Sequence, residues 1–205
     1  MPTLMAIGGV VASLLAASVL AEPSAGPPDR IEISVETVNG SGCPAGTTNV
    51  NTAADNTAFT VSYSNFLAEA GPAAKPVDSR KNCQLNLAVR VPAGFTYAIA
   101  RVEHQGFAHL QNGATGQQLA HYYFTGTSPT AHVSHEFSGP YTGDWQTSDQ
   151  AAALIYAPCG SQRNLNINTE LRVDGGHSDS ATSFITMDSS RGGVRTIYHL
   201  SWRTC

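Results

Sequence analysis

The sequence predicts a single all-β domain, an antiparallel β-sandwich or jelly roll of about ten strands held by two disulfide bonds. Three observations support this prediction: apolar and polar residues alternate in many short segments, turn residues separate most of these segments, and helical patterns are scarce. The 205 residues are 41% hydrophobic, which is enough for one core. The net charge of −4 argues against a nucleic-acid partner and against a membrane surface, because both require a basic face.

The first 21 residues have the pattern of a secretory signal peptide. They form a long apolar run without charged side chains, and Val19-Leu20-Ala21 is a small-residue cleavage pattern before polar residues. Glycines inside the run and its shortness argue against a transmembrane anchor. We therefore expect an exported protein with a signal peptide over 1–21, an extended proline-rich lead-in over 22–29 and a β-sandwich domain over 30–205.

Period-2 alternation defines the strand candidates. It is clearest in Ile31–Glu36, Phe59–Tyr63, Gln84–Val91 and Asn164–Val173. The remaining candidates are Phe95–Val102, Gly106–Leu110, Gln118–Thr125, His132–Phe137, Ala153–Ala157, Ser183–Met187 and Thr196–Trp202. Only Ser64–Ala70 and Ser148–Ala153 have helical periodicity, over two turns at most. Because no helices alternate with the strands, an antiparallel sandwich is favoured over a parallel sheet.

The four cysteines that follow the expected signal peptide are Cys43, Cys83, Cys159 and Cys205. An even number in an exported chain favours disulfides over metal ligation or catalysis, and three pairings are open. We favour Cys43–Cys83 and Cys159–Cys205, because each closes a loop worth about 4 kcal/mol in the chain-entropy model, and the second holds residue 205 in place. The sequon at Asn39 predicts a surface turn that can carry a glycan in a eukaryotic host.

Several segments together resemble a family of small secreted microbial proteins catalogued as domain of unknown function 4360. The matching segments are Ser41–Thr47, Arg80–Leu87, Val91–Tyr97, Ala157–Gly160, Asn164–Leu171 and Thr196–Trp202. The resemblance covers most of Gly40–Cys205. It implies secretion and a framework of four cysteines, and it implies no activity and no catalytic residues.

No cofactor is predicted, and the histidines have no clear metal-binding spacing. His132 and His135 lie three residues apart, so they point to opposite faces of a strand, and a zinc site would have to be assembled from several strands. The loop 174–180 is rich in oxygen ligands of the kind calcium takes, with Asp174 and Asp179 as candidates. It lacks the spacing of a known calcium loop, so a plain hairpin connection is favoured.

Catalysis would require carboxylates that converge. A glycosidase needs two acids about 5–10 Å apart across a cleft, and Glu103, Glu136 and Glu170 are the candidates borne on strands. Glu170 shares a polar strand face with Arg172, which would lower the pKa of Glu170, whereas a general acid needs a raised pKa. The Gly-x-Ser-x-Gly elbow of serine hydrolases does not occur. The sequence therefore favours a non-catalytic protein.

Two predicted strands carry amide side chains along one face. Asn86 lies on one of them, and Asn166 and Asn168 lie on the other, which Asn164 begins. Amides both donate and accept hydrogen bonds and cost less to desolvate than charges, which suits sugar hydroxyls. If the two strands share a sheet, its face forms a dense array of amides; the alternative is a solvated sheet whose asparagines bond to one another.

Aromatic side chains could supply the stacking half of sugar recognition. The segment 141–145 contains a glycine and is predicted as an exposed loop, so Tyr141 and Trp145 are candidate ligand-binding residues. The alternative is a loop fastened to the sandwich by Trp145.

The function that best fits these features is non-catalytic binding of an extracellular glycan or cell-wall polymer. The alternatives are a secreted hydrolase acting on extracellular polymer, and a secreted inhibitor or effector that docks on another protein through an exposed apolar patch. The sequence leaves the ligand and the oligomeric state open.

Overall fold

The computed structural model describes residues 25–127, 131–176, 181–187 and 195–205, and these contain twelve β-strands. They are β1 Glu32–Asn39, β2 Thr48–Thr52, β3 Ala58–Tyr63, β4 Leu67–Ala70, β5 Arg80–Arg90, β6 Phe95–Leu110, β7 Thr115–Phe124, β8 Ala131–Ser138, β9 Tyr141–Gln150, β10 Leu165–Asp174, β11 Ser183–Thr186 and β12 Thr196–Thr204. A short 3-10 helix, Pro76–Ser79, precedes β5. The expected signal peptide over 1–21 lies outside the described residues, as does Asp179.

The strands form two antiparallel sheets, which confirms the predicted fold class. One sheet has five strands in the order β1-β5-β10-β7-β8. The other has the order β2-β3-β12-β6-β11-β4, with β9 paired to β6 as its seventh strand. Strands that are distant in sequence lie side by side in both sheets, so most contacts are long-range. Within the described ranges, no helix has the length and apolar character needed to cross a membrane.

The core lies between the two sheets and follows directly from the alternation along the strands. In β5 and β10 every second residue is buried, including Leu87 and Ile167, which are both 0% exposed. From the other sheet, Phe59 stacks on Tyr198 with ring centroids 4.7 Å apart. Burying one large apolar side chain contributes about 1.5–3 kcal/mol, so this interior is the main stabilising term.

Both predicted disulfides are confirmed. Cys43–Cys83 joins the turn after β1 to β5, and Cys159–Cys205 joins the loop after β9 to the residue that follows β12. The backbone N–H of Cys205 also donates to the carbonyl of Gly94, which fastens this end of the chain to the turn between β5 and β6. Asn39, the sequon asparagine, is exposed at the end of β1.

Several local predictions were wrong, because strand pairing overrides short helical patterns. The segment predicted to form helical turns over Ser64–Ala70 contains strand β4, which pairs with β11. The predicted helical turn at Ser148–Ala153 and the predicted loop over 141–145 overlap strand β9, which pairs with the long strand β6 over ten positions. Conversely, the predicted strand Ala153–Ala157 has no regular strand structure.

Candidate binding surface

The two amide-bearing strands are neighbours in the five-stranded sheet. β5 and β10 pair antiparallel, with Asn166 opposite Asn86 and Asn168 opposite Gln84. The alternate residues of both strands are buried, so these amides lie on the outer face of the sheet. We call this surface the amide face and define it by Gln84, Asn86, Asn164, Asn166 and Asn168.

Hydrogen bonds between side chains organise part of the amide face into a ladder. Nδ2 of Asn164 donates to Oδ1 of Asn86 at 2.6 Å, and Nδ2 of Asn86 donates to Oδ1 of Asn166 at 2.8 Å. Nδ2 of Asn166 donates to the hydroxyl of Thr125 at 3.0 Å. An amide has two N–H donors and two oxygen lone pairs, so each asparagine in the ladder keeps capacity for a further bond. The ladder therefore orients the amides without exhausting them.

Tyr123 adds an aromatic ring to the amide face. It lies opposite Asn166 in the register between β10 and β7, and it is half-buried, whereas its neighbours Tyr122 and Phe124 are buried. Tyr123 was not predicted from the sequence as a site residue. The signal was present in the adjacent aromatic residues 122–124, since alternation along a strand forces the middle ring to the opposite face.

Charged side chains occupy the other end of the same sheet face. Glu170 forms ion pairs with Arg80, at 2.6 Å, and with Arg172. Partial burial opposes ionisation of Glu170, but hydrogen bonds from the two guanidinium groups outweigh it and lower its pKa. Glu170 is therefore a carboxylate at neutral pH and is unsuited to act as a general acid.

Three shallow depressions lie in a row on the outer face of the five-stranded sheet, from its charged end to its amide end. The first, about 510 Å³, is lined by residues that include Arg80, Gln117, Arg172 and Asp174. The central depression, about 270 Å³, is lined by residues that include Gln84, His121, Asn168 and Glu170. The third, about 500 Å³, is lined by Asn86, Thr125, Ser161, Gln162, Arg163 and Asn164. An extended ligand lying along β10 would cross all three.

The two aromatic residues predicted from the segment 141–145 do not belong to this surface, and the prediction that Trp145 is exposed was wrong. Trp145 is 4% exposed in β9 of the other sheet and packs against Phe137, with ring centroids 5.1 Å apart. Its indole lies over Gly106, where the absence of a side chain leaves room for the ring. Tyr141 is half-buried, and its hydroxyl donates to the carbonyl of Asp144.

The three candidate catalytic carboxylates do not share a cleft. Glu103 lies on the seven-stranded sheet, where it pairs with Arg101 at 2.8 Å. Glu136 and Glu170 lie on the outer face of the five-stranded sheet, on β8 and β10, with β7 between them. Glu136 accepts a hydrogen bond from the Gln117 amide at 2.9 Å. None of the described cavities is lined by two of these carboxylates.

The candidate calcium loop is described only at its start. Oδ1 of Asp174 accepts a hydrogen bond from the backbone N–H of Gly176 at 2.9 Å, as in a turn, and the second candidate, Asp179, is outside the described residues. Within the described ranges, no group of three or more acidic, histidine or cysteine side chains could hold a metal ion.

Histidine 104 is buried between the sheets, away from either surface. Its ring is 0% exposed, and Nδ1 lies 3.4 Å from the hydroxyl of Thr196. Burial, and to a lesser extent the proximity of His135, lowers the pKa of His104 to about 3. The imidazole is therefore neutral at physiological pH and belongs to the core.

A separate cavity of about 380 Å³ opens at one end of the sandwich. It is lined mostly by apolar groups of the turn between β5 and β6 and of the loop after β9, including Val91, Phe95, Tyr97 and Pro158. The disulfide residue Cys205 borders it. Its chemistry suits a small apolar group, in contrast to the polar depressions of the amide face.

The architecture and the two disulfides define a class: a secreted β-sandwich protein with one broad polar sheet face. The family model described as Domain of unknown function (DUF4360) matches residues 29–205, and the chain belongs to this family. It is 32% identical over 180 residues to a protein of Arthroderma benhamiae described as an uncharacterized secreted protein, with 87% of this chain and 73% of that protein aligned.

A comparison with solved structures aligns 82% of this chain with 19% of the enzymatically active domain of tailspike protein 4 from bacteriophage CBA120. The sequence identity is 11% and the TM-score is 0.27, which is too low to define a shared fold.

Proposed function

We propose that this secreted protein binds an extracellular glycan or cell-wall polymer through the amide face. The observation that carries the proposal is the hydrogen-bonded ladder of Asn164, Asn86 and Asn166, which holds donors and acceptors in fixed positions on an open sheet surface. Sugar hydroxyls need such pairs of donors and acceptors, and neutral amides provide them without the desolvation cost of charges.

The position of Tyr123 supports the same ligand class. Its ring lies beside Asn166 on the amide face, and an aromatic ring next to orienting polar groups can pack against the apolar face of a sugar. The depressions along β10 are shallow and open rather than enclosed, which suits an extended polymer better than a small molecule.

The direct test is retention of the secreted protein by insoluble polysaccharides, with chitin, β-glucan and cellulose as probes. The double substitution Asn166→Ala with Asn168→Ala removes two amides, and since each lost hydrogen bond costs about 0.5–1.5 kcal/mol, we expect affinity to fall about tenfold or more. The matched control is Asn49→Ala with Asn51→Ala, two exposed asparagines at the same spacing on β2 of the other sheet.

Substitutions of Tyr123 distinguish stacking from hydrogen bonding. Tyr123→Phe keeps the ring and should retain binding, whereas Tyr123→Ala should weaken it. Failure of the unmodified protein to bind any wall polymer at high micromolar concentration would contradict the proposal, as would equal losses in the Asn166/Asn168 variant and the Asn49/Asn51 control.

A further inference from the structure

Two histidines on neighbouring strands lie side by side on the outer face of the five-stranded sheet. His121 of β7 is directly opposite His132 of β8, and their ring centroids are 4.3 Å apart. Directly opposed residues of an antiparallel pair project from the same face, so both imidazoles share one environment. Spacing along the sequence cannot reveal this pair, because only the strand pairing joins them.

The separation of the rings fits coordination of one metal ion by both. A metal–nitrogen distance of 2.0–2.1 Å with a nitrogen–metal–nitrogen angle near 90° places the two ring centres about 4.5 Å apart. The rings now meet edge to face, with an interplanar angle of 78°. Aligning one nitrogen of each ring with a shared ion requires rotation about χ2, which is a soft torsion in histidine.

The ring nitrogens of both histidines are available to bind an ion. Among the described residues, no hydrogen bond occupies the ring nitrogens of His121 or His132.

The other described histidines are engaged elsewhere. His104 is buried in the core. The remaining three bond to side chains: His109 to Thr142 and Gln111, His135 to Asp149, and His199 to Arg101 and Glu103.

We propose that His121 and His132 together bind one divalent late transition-metal ion, through one nitrogen of each ring, with water completing the coordination. Imidazole suits Zn²⁺, Ni²⁺ and Cu²⁺, and the general affinity order places Cu²⁺ first. His121 and Asn168 line the central depression, so the ion lies beside the amide face. The proposal rests on the histidine geometry alone and does not depend on glycan binding.

The test is to titrate the untagged secreted protein with Cu²⁺ and to measure binding by isothermal titration calorimetry. Electron paramagnetic resonance of the copper-loaded protein then shows which nitrogen ligands couple to the ion. We expect one ion per chain with couplings from two imidazoles. His121→Ala and His132→Ala should each weaken Cu²⁺ binding by at least about tenfold. Mutating a residue that only hydrogen-bonds to a metal ligand already lowers metal affinity by about 10–100-fold. The double variant measures copper bound elsewhere on the chain, which is subtracted.

The matched control is His109→Gln, which also removes one half-buried histidine but takes it from the other sheet, where both ring nitrogens already have partners at 2.8 Å. It should bind Cu²⁺ like the unmodified protein. Unchanged binding in His132→Ala, or no uptake by the unmodified protein at millimolar Cu²⁺, would overturn the proposal. All these substitutions lie on sheet surfaces, and circular dichroism verifies that each variant is folded.

Discussion

Acidification tests the burial of His104 between the two sheets. Its folded pKa is lowered to about 3 by burial and then by the proximity of His135, whereas the ordinary value is 6.5. Because the folded pKa lies below the unfolded one, the unfolded chain binds the additional proton between these values. The stability that the neutral ring provides is fully present above pH 6.5, and it is lost progressively as the pH falls towards the folded value.

The size of this loss follows from the width of the window. Each pH unit inside it costs about 1.36 kcal/mol, so His104 alone should lower the free energy of unfolding by about 3 kcal/mol between pH 7 and pH 4. Single domains are stable by only about 5–15 kcal/mol, so one buried ring accounts for a large fraction of the margin.

Urea denaturation at pH 7 and pH 4 measures the effect, with His104→Gln as the comparison. Glutamine does not titrate, so the variant should lose about 3 kcal/mol less than the unmodified protein over this interval, even if it is less stable at both pH values. Glu170 and Asp78, whose pKa values are lowered, titrate in both proteins and cancel in the difference. Equal pH dependence in the two proteins would refute the assigned burial of a neutral imidazole.

Three further predictions concern the stability of the folded protein. Gly106→Ala should destabilise the protein by about 1–3 kcal/mol or more, because the added carbon overlaps the Trp145 ring and a backbone carbonyl. Gly143→Ala should be nearly neutral in the same thermal melt, because its added carbon makes only an ordinary contact, 3.7 Å from the Tyr141 hydroxyl. Gln118→Met should raise the urea midpoint, since the buried amide has no partner among the described residues and an unmade bond costs about 1–3 kcal/mol. A lower midpoint would instead indicate an internal water bound to that amide. Selective loss of Cys159–Cys205 should cost about 4 kcal/mol, measured against the intact disulfide by calorimetry.

The alternation along β5 and β10 was sufficient to predict both strands and to separate the core side chains from the outward ones. Leu87 and Ile167 are buried, and Asn86 and Asn166 lie outside, as the pattern indicates. The hydrophobic effect acts residue by residue, so a local pattern of period 2 carries this information.

The predictions that failed concerned short segments whose local pattern is ambiguous. Glycine and polar residues around Trp145 resemble a loop, but ten paired positions with β6 hold the segment as a strand and bury the indole. The same pairing places Gly106 directly opposite Trp145, and the missing side chain leaves room for the indole. A local sequence pattern does not show this contact, because the two residues lie on different strands. Propensity over a few residues is weak compared with such tertiary pairing.

The sequence by itself determined the all-β class, the secreted character, the presence of a four-cysteine framework and the identity of the outward-facing amides, because these follow from local patterns. The pairing of the four cysteines was only favoured from the sequence, and the structure decided it. Only the tertiary structure decided which strands are neighbours. The pairing of β5 with β10 brings Asn86 beside Asn166, and the pairing of β7 with β8 brings His121 beside His132. Such pairings depend on how the sheets close over a common core, and that closure is a collective property of the whole chain.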